Sequence, residues 1–377
     1  MLTAALANEK DLEIVWQTNF SGEVAGELAV IDDVLTAVSN QGDVFRLDAK
    51  AISTGNAVPK TYASKFRGDL KFNDVVQFGQ ALAAVGPIGE RAITKSITSN
   101  EDEVLDADLM FFDGEDSKLM RLTTPANVPA CRPLQLDTDL IIASSTGYVA
   151  RINPKNNRMV GTPFQPAISP DSTINWLPPI ELGSDLLAIA IGESAGESNK
   201  LFVLSAENKR TISKLSEFES DVPFKGELNL FGDSILAVLG GDQVDTLATF
   251  AGQPLNKTGE VELAGAVVAG PWMVGEDLLV KLDNDKLYMF AKDLTRKWVQ
   301  DSPNIQFAGA PKIADGKLML CLKSGKVDFV NPATGERNGG FDLQQPIVSH
   351  PVTIGNEMYF SGADGTVHVL DRSQLPD

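Results

Sequence analysis

Few side chains in this sequence carry chemistry. Its 377 residues include two histidines, His350 and His368, two cysteines, Cys131 and Cys321, and four tryptophans. The cysteines stand 190 positions apart and neither belongs to a CxxC pair, so they read as small buried hydrophobes rather than a redox or metal couple. No Gly-x-Ser-x-Gly elbow is present, which leaves Ser–His hydrolysis without its parts. Residues 101–116 hold eight carboxylates and no basic side chain. Hard cations take oxygen ligands, but this spacing is not an EF-hand loop, and the run reads as a solvated loop. Gly192-Glu-Ser-Ala-Gly196 lacks the lysine and the helix of a phosphate cradle and reads as a mobile hairpin tip. Asp283-Asn284-Asp285 reads as a turn.

Charge narrows the partners. With 32 basic and 51 acidic residues the net charge is −19, which repels phosphate backbones and anionic headgroups. Nucleic acid and direct membrane insertion are therefore not expected, and no apolar run is long enough to span a bilayer. The segment 1–10 has no basic n-region and too short an apolar stretch for a signal peptide. The chain reads as cytosolic, or as the mature or excised part of something longer.

The elements that must position these residues emerge when the chain is aligned with itself. Ser324-Gly-Lys-Val-Asp-Phe-Val-Asn331 matches Asp364-Gly-Thr-Val-His-Val-Leu-Asp371 without a gap, 40 residues on. The first apolar residue after each such turn gives eight anchors: Val44, Leu109, Val149, Leu201, Val244, Leu287, Val327 and Val367. Their intervals are 65, 40, 52, 43, 43, 40 and 40, and the third residue after every anchor is apolar. Ahead of each anchor an Asp/Gly/Asn turn leads into a short run such as Leu35-Thr-Ala-Val38, Leu186-Leu-Ala-Ile189 or Ile235-Leu-Ala-Val238. Before those runs come small-residue starts with Pro or Glu, among them Gly26-Glu27, Gly226-Glu227, Gly270-Pro271, Ala310-Pro311 and His350-Pro351. Runs of this length between turn signals are strands.

Eight units of about four strands predict an all-β fold, a single eight-bladed β-propeller spanning 1–377, with residues 1–10 as a flexible lead-in. Only ten residues follow Val367, too few for a last outer strand. The segment Leu12–Thr18 is therefore expected to supply that strand and close the ring, with Trp16 matching Trp298. Insertions are expected at 86–107 and 191–199. His368 alternates with Val367 and Val369, so it is expected to point away from the core-facing side.

Several strings resemble the PQQ-like (quinoprotein-like) propeller repeat: Gly362-Ala-Asp-Gly-Thr-Val-His-Val-Leu-Asp371 with the preceding 350–360, Gly42-Asp-Val-Phe-Arg-Leu-Asp48, and Gly325-Lys-Val-Asp-Phe-Val-Asn-Pro-Ala-Thr-Gly335. Within that family, an eight-bladed ring of this length is similar to the BamB-type, WD40-like scaffolds, which bind another protein through loops. The resemblance implies a cell-envelope or periplasmic setting. No lipobox cysteine is present, and no interface residue is carried over.

Two functions follow as expectations. The first is a non-enzymatic scaffold without cofactor, a monomeric ring or a domain of a larger chain, whose two insertions decorate the face that binds a protein partner. The alternative, from the enzymes of the same family, is a quinone-dependent (PQQ) dehydrogenase or small-ligand site in the axial funnel. Arg132, Trp176, Trp272 and His350 are its candidate lining, with Arg132 pairing ligand carboxylates. The resemblance implies stacked tryptophan, Ca²⁺, an acidic base and often adjacent cysteines for such an enzyme. Against it, packing between blades accounts for the tryptophans, and a satisfied structural role accounts for His350.

Overall fold

A computed structural model describes residues 16–19, 23–31, 33–40, 43–48, 51, the strands between 60 and 120, 131–144, 147–153, 158–167, 174–183, 185–192, 199–207 and 210–375. They form a β-propeller of four-stranded antiparallel blades. The strands begin where the turn chemistry places them. Asp33, Asp137 and Asp185 take left-handed φ values of 60°, 55° and 62° ahead of the second strands of their blades, and Gly232, Gly275 and Gly355 take 62°, 65° and 60° at the same place. Asp and Gly tolerate that region, which two-residue hairpins require.

Seven blades are plain meanders. Blade A spans 29–62, B 134–159, C 180–220, D 224–262, E 267–301 and F 312–342; blade G spans 352–371 and takes Trp16–Asn19 as its outer strand. The expected count of eight equivalent blades is corrected to seven, because the second repeat unit departs from the pattern. Its strands sort into two sheets: Asp74–Phe78, Ala81–Val85, Leu109–Asp113 and Asp116–Met120 in one, and Phe66–Gly68, Ala92–Ser96 and Asp102–Leu105 in another. The extra residues behind the 65-residue interval form a hairpin that pairs with Phe66–Gly68 and separates the second and third strands of the first sheet. The insertion expected at 86–107 therefore contains two strands, and much of the acidic run expected as a loop is strand. Gln77 of the first sheet donates from Nε2 to the Val30 carbonyl of blade A, 3.0 Å away.

The last blade closes as its strand deficit requires. Trp16–Asn19 runs antiparallel to Thr366–Asp371, with Trp16 opposite Val369 and Asn19 opposite Thr366. Residues 1–15, including the lead-in expected at 1–10, lie outside the described residues, as do 193–198 of the second expected insertion.

The core lies between blades rather than in one centre, since both faces of each sheet are covered. Leu136, Ile141 and Val149 of blade B pack with Leu187, Ile189 and Phe202 of blade C. Leu35, Phe45 and Leu47 of blade A pack with Tyr359, Val367 and Val369 of blade G, which joins the two ends of the chain through side chains as well as backbone. Burying Leu, Ile, Val or Phe in such seams contributes about 1.5–3 kcal/mol per side chain. Across one seam, buried Arg151 donates from Nε to Asp139 at 2.6 Å and from Nη1 to the Ala206 carbonyl at 2.9 Å, tying blade B to blade C.

The first strands of neighbouring blades lie against one another around the axis. Gly226 and Gly270 sit there at φ 66° and 86°, and a Cβ on Gly226 would stand 3.1 Å from the Gly270 carbonyl oxygen. Glycine lets these two backbones approach.

Candidate functional site

Arg132 and His350 stand two residues ahead of the first strands of blades B and G, Trp176 four residues ahead of that of blade C, and Trp272 within the first strand of blade E. Arg132 is exposed just ahead of the first strand of blade B. With Pro133, Gln135, Pro178, Pro179 and Glu227 it borders a cavity of about 300 Å³ shared by blades B, C and D. Prolines suit these positions because a strand start has no ladder hydrogen bond to lose. The side chains offered to a ligand are a guanidinium, a carboxylate and an amide.

The other three candidates lie elsewhere. Trp176 is buried in the B–C seam, its Nε1 donating to the Ser144 carbonyl at 3.0 Å and its ring 6.2 Å from Phe202. Trp272 is half-buried, edge-on to Phe307 at 4.9 Å, against the E–F seam. His350 is fully buried, with Nε2 3.3 Å from the Met319 carbonyl and Nδ1 without a hydrogen-bond partner. Burial, then the charge of Lys312, lowers the His350 pKa to about 4 against the pull of the Met319 hydrogen bond, so the ring is neutral at pH 7. Lys312 itself reaches Glu27 across blade G at 3.7 Å. Of the four candidates, Arg132 alone lines the cavity.

His368 is also buried, its Nε2 3.1 Å from the Gln345 Oε1. It points opposite to Val367 and Val369, as alternation requires, and that side is interior too, because the blade is covered on both faces. Burial lowers its pKa, opposed by Asp364. Burial pushes the Cys131 thiol up to about 12 and raises Cys321 as well, so both are thiols rather than nucleophilic thiolates at pH 7.

The residues do not fit a quinone–Ca²⁺ centre. Trp176 and Trp272 pack on protein, the cysteines lie in different seams, and among the described residues no group of three His, Cys, Asp or Glu is poised to hold a metal. No step through such a group is derived.

A second hollow, of about 440 Å³, opens between blades C and D. Its walls are Leu182, Leu186, Val203, Ile235 and Phe250, and Leu230, 45% exposed, stands at its mouth beside Asp233 and Gln253. Motif reading passes over it, because its walls are ordinary aliphatic and aromatic side chains with no recognisable spacing.

Among the described residues no helix is long and apolar enough to cross a membrane. The sequence matches no family profile and no curated protein. Solved structures do resemble it. BamB from Moraxella catarrhalis is 13% identical over 96% of this chain and 98% of that one, with a TM-score of 0.61. The C-terminal WD40 domain of Sif2 is 12% identical over 98% of this chain and all of that one, with a TM-score of 0.64. Sqt1 of Saccharomyces cerevisiae is 9% identical over 98% and 100%, with a TM-score of 0.61. In fold, the chain is a β-propeller similar to BamB and to WD40 domains.

Proposed function

We propose that this propeller is a non-catalytic interaction scaffold, without cofactor, that binds a protein partner on its surface. The observation that carries the reading is the distribution of side chains. Both histidines and both cysteines are buried in seams, whereas Leu215, Val222, Leu230, Val268, Val299 and Ile313 are 38–55% exposed on four consecutive blades, C to F. Exposed apolar groups on a rigid frame favour protein contact. The likeness to BamB and WD40 folds fits this use and, for BamB, a cell-envelope setting. The full chain, cross-linked in its native cells, is expected to enrich a discrete partner. A variant carrying Leu215→Lys, Val268→Lys and Ile313→Lys is expected to lose it. Equal recovery by both chains would overturn the reading.

The cavity at Arg132 favours a second reading, a small carboxylate ligand held by the guanidinium. Calorimetric titration with PQQ and Ca²⁺ checks its quinone form, and heat that disappears in Arg132→Ala would support it over the first.

A further inference from the structure

Pairing registers align the starts of the inner strands. Ala29, Leu134, Ile180 and Asn229 each pair with the third residue of the second strand of their blade: Thr36, Ile141, Ala188 and Leu236. Two positions ahead of them stand Glu27 in blade A, Arg132 in B, Pro178 in C and Glu227 in D. Charged side chains of both signs therefore occupy one register position around the axis, and two pairs of opposite charge stand one blade apart. In the first pair, Glu27 reaches over blade G to Lys312 of blade F, with Oε2 3.7 Å from Nζ. In the second, Arg132 and Glu227 flank blade C without meeting. Both are exposed and both line the cavity of about 300 Å³, together with Pro178 and Pro179 of the blade between them. Among the described residues the Glu227 carboxylate has no ion-pair partner.

We propose that this cavity binds a small zwitterion, an amino acid or short peptide with free ends. Its carboxylate lies on Arg132, its ammonium on Glu227, and its apolar side chain against the prolines. The inference rests on the carboxylate reading of the cavity and names the ligand class. A ligand carrying only a carboxylate gains the guanidinium but faces Glu227 and the field of a chain with net charge −19. A ligand carrying only an ammonium faces Arg132. A molecule with both charges pairs with each and is repelled by neither. Leu134, Ile180 and Leu228 complete the walls and suit an apolar body. Proline has a fixed φ and no N–H, so Pro178 and Pro179 form a floor that is preorganised and has no amide donor to desolvate. The volume stands at the small end of ligand sites, which matches one or two residues.

The full chain is titrated calorimetrically with leucine, glycyl-leucine, N-acetyl-leucine and leucine amide. One of the two zwitterions is expected to bind at least about tenfold more tightly than either singly charged analogue. The tighter of the two tells a free amino acid from a peptide. Arg132→Gln is expected to abolish that binding. Glu227→Gln is expected to bring the zwitterion and N-acetyl-leucine within about twofold of each other. The analogue series uses the unaltered chain, so the test stands even should a variant misfold. N-acetyl-leucine binding as tightly as the zwitterions, or a preference untouched by Glu227→Gln, overturns the zwitterion and leaves the carboxylate reading in place. Leucine amide binding as tightly, or no binding by any of the four, overturns both and leaves the scaffold standing.

Discussion

The Trp298–Gly335 contact offers a quantitative check on how the seams are packed. Trp298 is buried, and Gly335 sits on its ring: a Cβ at 335 would lie 2.8 Å from the indole Cδ2, at a backbone φ of 80°. Trp298→Ala removes a buried indole and the bond to Pro332, a loss of about 3–5 kcal/mol for such truncations. Gly335→Ala has two costs. Placing a Cβ in the left-handed region costs about 1–2 kcal/mol. Forcing the ring aside adds about 1–3 kcal/mol of overpacking. In the double variant the second cost disappears because the ring is gone, so the cycle should show a coupling of about 1–3 kcal/mol. Urea unfolding followed by circular dichroism gives each value from the midpoint and slope. Additivity within about 0.5 kcal/mol would mean that the ring does not rest on this glycine.

Other consequences can be read from stability. Asp139→Ala strands the buried guanidinium of Arg151; such breaks cost about 3–5 kcal/mol. The value expected by thermal unfolding is near the lower end, because Asp137 and Asp185 stand 3.8 and 3.7 Å away. Removing residues 1–19 deletes the outer strand of blade G, whose four residue pairs are worth about 2–6 kcal/mol at about 0.5–1.5 kcal/mol per bond. An unchanged melting temperature would refute that closure. His350 is depressed from 6.5 to about 4, so the unfolded chain binds the extra proton between these values. Its contribution is complete above pH 6.5 and is lost as pH falls towards 4, about 3 kcal/mol in all. His350→Gln should flatten the stability profile in that window, leaving the smaller slope from His368.

The sequence alone made the repeating part of this architecture visible. Seven of the eight apolar anchors fell in third strands, whereas Val244 lies in the turn ahead of Thr246–Ala251; Asp and Gly marked the tight turns, and a last unit one strand short pointed to the segment around Trp16. The second unit escaped because Leu109 satisfies the anchor pattern while the 65-residue interval before it hides a hairpin that pairs outside the repeat. The apolar pattern does not encode which strand a hairpin joins. Of the axial candidates, Arg132 reached a cavity, whereas Trp176 and His350 turned into seams. A residue at a strand start turns towards the axis or into a seam according to the local backbone, which spacing does not fix. Alternation placed His368 opposite Val367 and Val369, but not its burial, since it translates into exposure only where one face of a sheet meets water. The C–D hollow carries no motif: its walls are ordinary aliphatic and aromatic side chains brought together only when the blades are in place.

The way blade G is completed also sets how the molecule responds to tension. Trp16 lies opposite Val369 in an antiparallel ladder, so the incoming and outgoing polypeptide leave from the same end of that ladder. A force drawing the two termini apart loads the pairs one at a time, from Trp16 towards Asn19, instead of all together. The fastening therefore peels like a zipper at low force.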